Sequence, residues 1–323
     1  MHDERRDGPT RIMFITGMGR SGSTILELLL GRIDGWVAGG ELRRYWYGQS
    51  FPDWRCGCGR LLSECEFWDR VRAGLAERGL DSGDYAGYRE VQRSHLMLRP
   101  APVARLVAEA RRSDRPDSPL HRYQAASSSL YRAVADAGDA SVVVDSSKRP
   151  PDAYLASWNP DVDLRAVHLV RDPRGVAHSI SRQVSNPQPN SEYMFRSNAF
   201  ATGIRWDVRQ ALCESLLSRR LGERYMRLRY EDLVGDPAGA VRSIARFADL
   251  PDPELGFLHG HRVDYAPSHT VSGNPFRLRQ GQTAIEINPD DAWRTRMSSR
   301  DKALATVPTL PLLRHYGYRW RPG

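Results

Sequence analysis

The sequence predicts an α/β fold in which a parallel β-sheet, with a P-loop-type phosphate loop, is flanked by helices. Four short apolar runs, at 12–15, 141–144, 164–170 and 225–229, have the length of buried strands, and a helical pattern follows each. Strands that alternate with helices form parallel sheets, which bind their ligands at the carboxyl ends of the strands. We therefore expect functional residues directly after each run.

The first strand leads into a glycine-rich loop, residues 17–24, which reads GMGRSGST and precedes an apolar helix. In nucleotide-hydrolysing loops of the form G-x-x-x-x-G-K-[ST], the lysine reaches the β- and γ-phosphates and the Ser/Thr holds Mg²⁺. Here Ser23 stands at the lysine position, and the nearest cation is Arg20. Backbone N–H groups of Gly19 to Thr24 and the helix N-terminus suit a 5′-phosphate or a phosphosulfate.

The pattern of residues 43–135, between the first two core units, predicts an α-helical insertion. The stretch is rich in Arg, Gly, Ser and Tyr, and it shows helical patterns near 67–79, 101–112 and 120–137. Together with the core units this insertion is expected to form one domain over residues 1–323, since a chain of this length can bury one large core.

Three of the four cysteines, Cys56, Cys58 and Cys65, lie close together in this insertion. They could bind a metal, form a disulfide or remain free thiols. A structural zinc site needs four ligands, no fourth is obvious, and Cys213 lies far away in the sequence. We therefore expect free or cross-linked thiols and no metal.

The ends of the second and third strands carry cations. Lys148 follows the second strand, and Arg171 follows the third. Asp172 is a good N-cap and Pro173 suits the first helical position, so a helix should begin here. Ser179 would then lie about two turns along this helix, where it and Arg171 can face one bound phosphate.

Two further segments belong to this pattern. Tyr230 follows the fourth strand and offers a ring and a hydroxyl at the strand end. A late loop, 272–281, is basic and rich in turn residues. Its candidate binding residues are Ser272, Gly273, Asn274 and Arg277.

The charge distribution favours a small anionic ligand. The chain has 47 Lys+Arg against 39 Asp+Glu, a net charge of +8, with only two lysines, Lys148 and Lys302. The positive charge is scattered and not in blocks, so nucleic acid is not an expected partner. Neither an apolar run of about 18 residues nor an apolar signal region after the initial MHDERRDGPT is present, so we expect a cytoplasmic protein without a membrane association.

Taken in order, these motifs resemble the PAPS-dependent sulfotransferases, which use 3′-phosphoadenosine 5′-phosphosulfate as donor and release PAP. The arginine-containing loop is most similar in style to the tyrosylprotein, carbohydrate and bacterial members. The resemblance implies donor binding by the 5′-phosphosulfate loop, the 3′-phosphate element, the tyrosine and the late loop, with no metal required. These residues are Arg20, Ser21, Gly22, Ser23, Thr24, Arg171, Ser179, Tyr230, Ser272, Gly273, Asn274 and Arg277. One departure is Gln183, where related enzymes can place an arginine; Arg182 should point elsewhere on the helix.

The resemblance also implies the catalytic residues. Glu41 lies 21 residues beyond Arg20, where the tyrosylprotein and carbohydrate relatives place a catalytic glutamate, and it would act as general base. Lys148 and Arg20 would stabilise charge on the leaving phosphosulfate. Burial near Trp36, Tyr45 and Trp46 is expected to raise the pKa of Glu41.

Other assignments remain open. A pairing of Glu41 with Arg43 or Arg44 would make it structural, and Glu27 and His269 are weaker candidates for the base. Residues 185–195 could form an acceptor lid. The alternative functions are a P-loop nucleotide kinase or phosphotransferase and a non-catalytic nucleotide-binding module. The acceptor hydroxyl, whether of a glycan, a phenol, a peptide tyrosine or a secondary metabolite, is not readable from the sequence, and neither is the oligomeric state.

Overall fold

A computed structural model describes residues 8–48, 53–80, 85–112, 117–186, 188, 193–278 and 282–320. Its centre is a five-stranded parallel sheet with the strand order β2-β3-β1-β4-β5. The strands are β1 (Thr10–Gly17), β2 (Trp36–Gly40), β3 (Val142–Lys148), β4 (Val162–Val170) and β5 (Tyr225–Arg229). The predicted α/β fold is therefore confirmed. Strand β2 is not among the four strands predicted from the sequence, because Gly39 and Gly40 interrupt its strand pattern.

The central strand shows why the sheet needs helices on both faces. Ile12 and Phe14 of β1 pack into one apolar cluster, whereas Met13 and Ile15 pack into another on the opposite face. Successive side chains of a strand point to opposite faces, so a strand with four consecutive apolar residues must be covered on both sides.

The order of the strands also positions the site. β1 lies between β3 on one side and β4 on the other, and the chain leaves β1 through the phosphate loop into helix α1 (Ser23–Leu30). In open parallel sheets, ligands bind at the carboxyl edge where the strand order reverses. The loop therefore lies where such a crevice is expected.

The predicted insertion is helical. Between β2 and β3 lie α2 (Tyr45–Gly48), α3 (Glu66–Glu77), α4 (Tyr85–Ser94), α5 (Pro100–Glu109) and α6 (Pro119–Ala137). Three of these agree with the sequence prediction. Helix α4 was missed because it contributes few large apolar residues, mainly Tyr88 and Val91, to the core.

The remaining helices cover the sheet and build the C-terminal part of the chain. They are α7 (Pro150–Ala156), α8 (Pro173–Ser181), α9 (Ala199–Leu212), α10 (Arg219–Leu221), α11 (Tyr230–Gly235), α12 (Pro237–Phe247), α13 (Trp293–Arg296), α14 (Ser299–Thr306) and α15 (Leu310–His315). A small antiparallel sheet contains β6 (Leu258–His259), β7 (Arg262–Asp264) and β8 (Ala284–Glu286). Within the described ranges, none of the helices combines the length and the apolar character that crossing a membrane requires.

Candidate active site

The phosphate loop has the backbone of an anion-binding turn. Arg20 and Gly22 have φ angles of 69° and 91°, in the left-handed region. Two observations explain why position 22 requires glycine. Its φ is strained for any residue with a side chain, and a Cβ atom there would lie 2.6 Å from Cδ2 of Tyr230. Gly22 caps α1 without a side-chain hydrogen bond, so the first N–H groups of the helix are available for an anion.

Two serines of the loop are buried beside these N–H groups. Ser21 is fully buried, and within the described part of the chain its hydroxyl has no hydrogen-bond partner. Ser23 is 5% exposed, and Thr24 is half-buried in the first turn of α1. A buried hydroxyl without a partner is unfavourable unless a ligand satisfies it, so the loop fits a bound anion.

The strand next to β1 brings a cation to this loop. Lys148 ends β3 with a φ of 68°, and its carbonyl accepts a hydrogen bond of 3.2 Å from the hydroxyl of Thr16 at the end of β1. Its ammonium lies 2.6 Å from Oε1 of Glu41 and donates to the carbonyl of Ser146 at 2.9 Å. The two predicted catalytic residues therefore form an ion pair at the carboxyl edge of the sheet.

The predicted direction of the Glu41 pKa shift was wrong. Burial is the largest single influence and raises the pKa, but Lys148 and Arg44 outweigh it and lower the pKa of Glu41 to about 2. Arg44 also lies 3.7 Å from Oε2, so part of the structural alternative is present as well. In this state Glu41 is ionised but only weakly basic.

A second carboxyl group, that of Glu27, also interacts electrostatically with Lys148. Glu27 of α1 is 3% exposed, and among the described residues its Oε1 atom has no hydrogen-bond partner. Burial raises the pKa of Glu27 to about 7, although Lys148 and a hydrogen bond with Ser146 act in the opposite direction. Glu27 is therefore the more basic of the two carboxyl groups.

The predicted 3′-phosphate element adjoins the phosphate loop. Asp172 caps α8 by accepting a hydrogen bond from the N–H of Arg174, and Pro173 is the first helical residue, as predicted. Arg171 donates to the carbonyl of Arg20 at 2.9 Å, and its guanidinium lies 4.3 Å from the ring centroid of Tyr230. This strand end, the loop and the tyrosine thus form one contiguous surface.

An acidic side chain lies among these cations. A carboxylate oxygen of Asp290 is 3.2 Å from Arg171 and 3.3 Å from Arg182. The backbone N–H of Asp290 donates to the Tyr230 hydroxyl at 3.0 Å. The carboxylate thus stands where an anionic group would meet both arginines. Ser179, which is 5% exposed, lies on α8, the helix that begins two residues after Arg171.

The late loop packs against the end of β2 instead of standing free. The carbonyl of Ser272 accepts a hydrogen bond of 3.2 Å from the N–H of Glu41, and Val271 donates to Gly39 at 2.9 Å. Gly40 has a φ of 82°, and a Cβ atom on it would lie 2.7 Å from that carbonyl oxygen. The loop therefore holds the backbone of Glu41 in place.

The other residues of that loop form hydrogen bonds within the protein. The side chain of Asn274 accepts from the N–H of Phe276, which closes a short turn after Gly273. Arg277 is buried and donates to the carbonyls of Thr270 and Arg55, each at 2.8 Å. These bonds fasten the loop to the insertion. Residues 279–281, the end of the predicted basic loop, lie outside the described residues.

The comparisons with known proteins agree with this geometry. Residues 13–254, more than half of the chain, match the sequence profile of a group described as "Sulfotransferase family". The chain belongs to the sulfotransferase family. It is 36% identical over 177 residues to Carbohydrate sulfotransferase 3 of Homo sapiens, which covers 50% of this chain and 35% of the relative. Carbohydrate sulfotransferase 7 of Mus musculus is 26% identical over 201 residues, 50% of this chain and 40% of the relative.

A solved structure supports the fold of this chain. The "Sulfotransferase Domain from the Curacin Biosynthetic Pathway" aligns with a TM-score of 0.53 and 16% identity, over 96% of this chain and 98% of that domain. At this identity the similarity concerns the fold alone. The chain spans roughly a third to two fifths of the length of the curated relatives that it matches.

The candidate site contains residues whose positions could not be predicted from the sequence. Arg182 was expected to point away, but α8 ends at Ser181, and the change of direction brings Arg182 to Asp290. Gln183 lies beyond the helix and is exposed. Asp290 carried no local signal, because an acidic residue in a turn-rich segment is usually solvated.

His269 lies in another environment than the one proposed for a base. Its Nδ1 atom is 3.3 Å from Sγ of Cys65 and 3.8 Å from Sγ of Cys56, and its ring stacks on Phe67. This placement supports a structural role. Of the suggested lid at 185–195, residues 187 and 189–192 lie outside the described residues.

Proposed function

We propose that this protein transfers the sulfuryl group of PAPS to an acceptor hydroxyl. The observation that carries the proposal is the Lys148–Glu41 ion pair of 2.6 Å beside a phosphate loop that lacks the nucleotide-hydrolysing lysine. A hydroxyl must lose its proton as it attacks, and the bridging oxygen of the donor must gain negative charge as it leaves. A carboxylate and an ammonium side by side match these two requirements.

In this proposal the donor is held from both ends. The backbone N–H groups around Gly22 take the 5′-phosphosulfate together with the Ser21 hydroxyl, for which the described residues offer no hydrogen-bond partner. Arg171 and Arg182 take the 3′-phosphate, which displaces the Asp290 carboxylate from between them. This exchange of one anion for another keeps both guanidinium groups paired. Tyr230 supports the site through its contacts with Gly22 and Arg171.

The ion pair explains how Glu41 becomes a base only when it is needed. Lys148 holds the pKa of Glu41 down, whereas burial pushes it up. When the ammonium of Lys148 turns toward the sulfuryl group, Glu41 loses its principal counter-charge while it remains partly buried. Its pKa then rises, and it can accept the proton of the hydroxyl. The same movement delivers positive charge to the leaving oxygen.

The acceptor proposal is a hydroxyl group, with sugar hydroxyls as the first class to test. The reason is the similarity to proteins named carbohydrate sulfotransferases. A panel of sugar, phenol and peptide tyrosine acceptors, incubated with PAPS and measured by mass spectrometry for the added sulfo group, tests the class directly.

Donor binding is tested separately by thermal unfolding with PAP in buffer without added Mg²⁺. At a hundredfold excess over Kd, PAP should stabilise the fold by about 2.7 kcal/mol. Stabilisation by ATP with Mg²⁺ and none by PAP would instead indicate a P-loop phosphotransferase. PAP binding without transfer to any acceptor would indicate the non-catalytic nucleotide-binding module.

Arg171 is expected to read the 3′-phosphate. Arg171→Ala should weaken PAP by roughly 10- to 100-fold, because a charge-assisted contact to phosphate is lost, but should change the affinity for adenosine 5′-phosphosulfate much less. Isothermal titration calorimetry with both ligands checks this. Arg246→Ala, which removes an exposed arginine of α12, is the matched control. Equal losses for the two nucleotides would contradict the assignment.

A further inference from the structure

Four potential metal ligands converge where the insertion meets the late loop. Cys56, Cys58, Cys65 and His269 each present one ligand atom, and all four atoms lie within 4.8 Å of one another. We propose that these residues bind a structural zinc ion. The sequence pattern alone indicates only the three cysteine ligands. Folding supplies the fourth, His269, from a position 213 residues beyond Cys56.

The distances match a tetrahedral zinc site. Zn–S bonds of about 2.3 Å and Zn–N bonds of about 2.0 Å place neighbouring ligand atoms of a tetrahedron roughly 3.5–3.8 Å apart. The Sγ atoms of Cys56 and Cys65 are 3.6 Å apart, and those of Cys58 and Cys65 are 3.8 Å apart. Nδ1 of His269 lies 3.3 Å from Sγ of Cys65 and 3.8 Å from Sγ of Cys56.

The same distances do not fit a disulfide. A disulfide bond is about 2.05 Å long and joins two sulfur atoms. Here Sγ of Cys65 lies 3.6 and 3.8 Å from the other two sulfur atoms, and no disulfide joins the three cysteines to one another. An imidazole nitrogen completes the group, and the Cys₃His set is one of the common structural zinc combinations.

The backbone around the cysteines forms a tight turn that suits a metal. The N–H of Gly59 donates to the carbonyl of Cys56 at 2.9 Å, and Gly59 has a φ of 90°. The chain therefore reverses its direction between Cys56 and Arg60. Cys65 stands at the N-cap of α3, where the helix dipole favours a thiolate. The local backbone structure therefore helps to position the sulfur atoms.

The histidine is held from the other side. Its ring stacks on Phe67 with 4.9 Å between centroids and 8° between planes, which directs Nδ1 toward the sulfur atoms. Cys56 and Cys65 are buried, and four protein ligands fill a tetrahedral shell. A site without an open position stabilises structure and does not bind substrate.

The metal would join two segments that are distant in sequence, 54–68 and 268–277. Gly57 donates to the carbonyl of Thr270 at 2.9 Å, next to the ligand His269. Two residues further on, the Ser272 carbonyl accepts from the N–H of Glu41. The zinc therefore anchors the loop that positions the backbone of Glu41. This inference rests on these contacts alone and does not depend on the proposed reaction.

The experiment is a metal analysis of the full chain, produced in medium with zinc and purified without chelators. Inductively coupled plasma mass spectrometry should find one zinc per chain, and native mass spectrometry should show the same stoichiometry. Cys58→Ser and His269→Gln should each lose most of the metal. Cys213→Ser, the same chemical change at the cysteine outside the cluster, should retain it.

Two results would overturn the proposal. One is wild-type protein with no more zinc than Cys58→Ser and no uptake on titration of the reduced protein with Zn²⁺. The other is a denatured mass two hydrogens below that of the reduced chain, which indicates a disulfide. If the variants do not fold, Co²⁺ titration of the wild type decides, since thiolate-to-Co²⁺ charge-transfer bands must appear and must disappear on addition of Zn²⁺.

Discussion

Two carboxyl groups from different elements interact with the same lysine, and their pKa values move in opposite directions. Glu41, at the end of β2, bonds directly to the ammonium of Lys148, and its pKa falls to about 2. Glu27, in α1, feels the same ammonium without a bond that offsets its burial, and its pKa rises to about 7. Burial raises both pKa values, so the cations near Glu41, Lys148 first and Arg44 second, decide the difference.

In the proposed reaction, the more basic of the two carboxyl groups is not the one that accepts the proton. Glu27 is the stronger base in the structure, but it lies in the core between α1 and β3 and is 3% exposed. Glu41 is the weaker base, yet its counter-ion can move to an incoming anion. We therefore assign proton transfer to Glu41 and treat Glu27 as part of the surroundings of Lys148.

The largest expected effect is on turnover. Glu41→Gln keeps the size of the side chain but removes the base, so turnover should fall by roughly 10²- to 10⁴-fold while PAP affinity is retained. Single-turnover kinetics with an alkyl hydroxyl measures the chemical step. Glu77→Gln, at an exposed position of α3, is the control. A wild-type rate for Glu41→Gln would transfer the base assignment to Glu27.

The second prediction separates the lysine from the base. Lys148→Ala should lower turnover by roughly 10²-fold or more, because charge stabilisation of the leaving oxygen is lost. An acidic phenol needs little help in losing its proton, so it should partly rescue Glu41→Gln but not Lys148→Ala. Rates for alkyl and phenolic acceptors measure this difference. Lys302→Ala removes the other lysine, which is half-buried in α14 and outside the site, and serves as control. Equal rescue of both variants would contradict the division of roles.

The third and smallest effect is on stability. Between pH 4.5 and 7 the folded state holds a proton on Glu27 that the unfolded chain has released, so this group makes the protein less stable as pH rises. Relative to wild type, Glu27→Gln should therefore gain about 2–3 kcal/mol between pH 5 and pH 8, since one pKa unit corresponds to roughly 1.4 kcal/mol.

Urea unfolding at several pH values measures this gain. Subtracting the free energy of unfolding of the wild type from that of the variant at each pH cancels the titration of the other groups. Glu41 has the opposite sign: its lowered pKa contributes stability above pH 4.5, which is lost as pH falls toward 2. Glu41→Gln should accordingly flatten the acid limb and leave the range from pH 5 to pH 8 unchanged. A Glu27→Gln variant with the same pH profile as wild type would show that the carboxyl is not protonated in the fold.

The sequence by itself determined the parts of this protein that depend on local backbone chemistry. Glycine spacing in residues 17–24 predicts the phosphate loop, and Asp172 followed by Pro173 predicts the start of α8, because these signals act over a few neighbouring residues. Apolar runs predict strands, and in a parallel sheet this places Lys148 and Arg171 at one edge. The α/β fold and the positions of these strand-end residues followed from such signals.

Only the tertiary structure decided which side chains meet, and with them the charge state of the site. The pKa of Glu41 depends on Lys148, which is 107 residues away, so burial near aromatic residues predicted the wrong direction. His269 reaches Cys56 across 213 residues, and Asp290 reaches Arg171 across 119. Electrostatic interactions and metal coordination depend on distances of a few ångströms in space, which spacing along the chain does not determine.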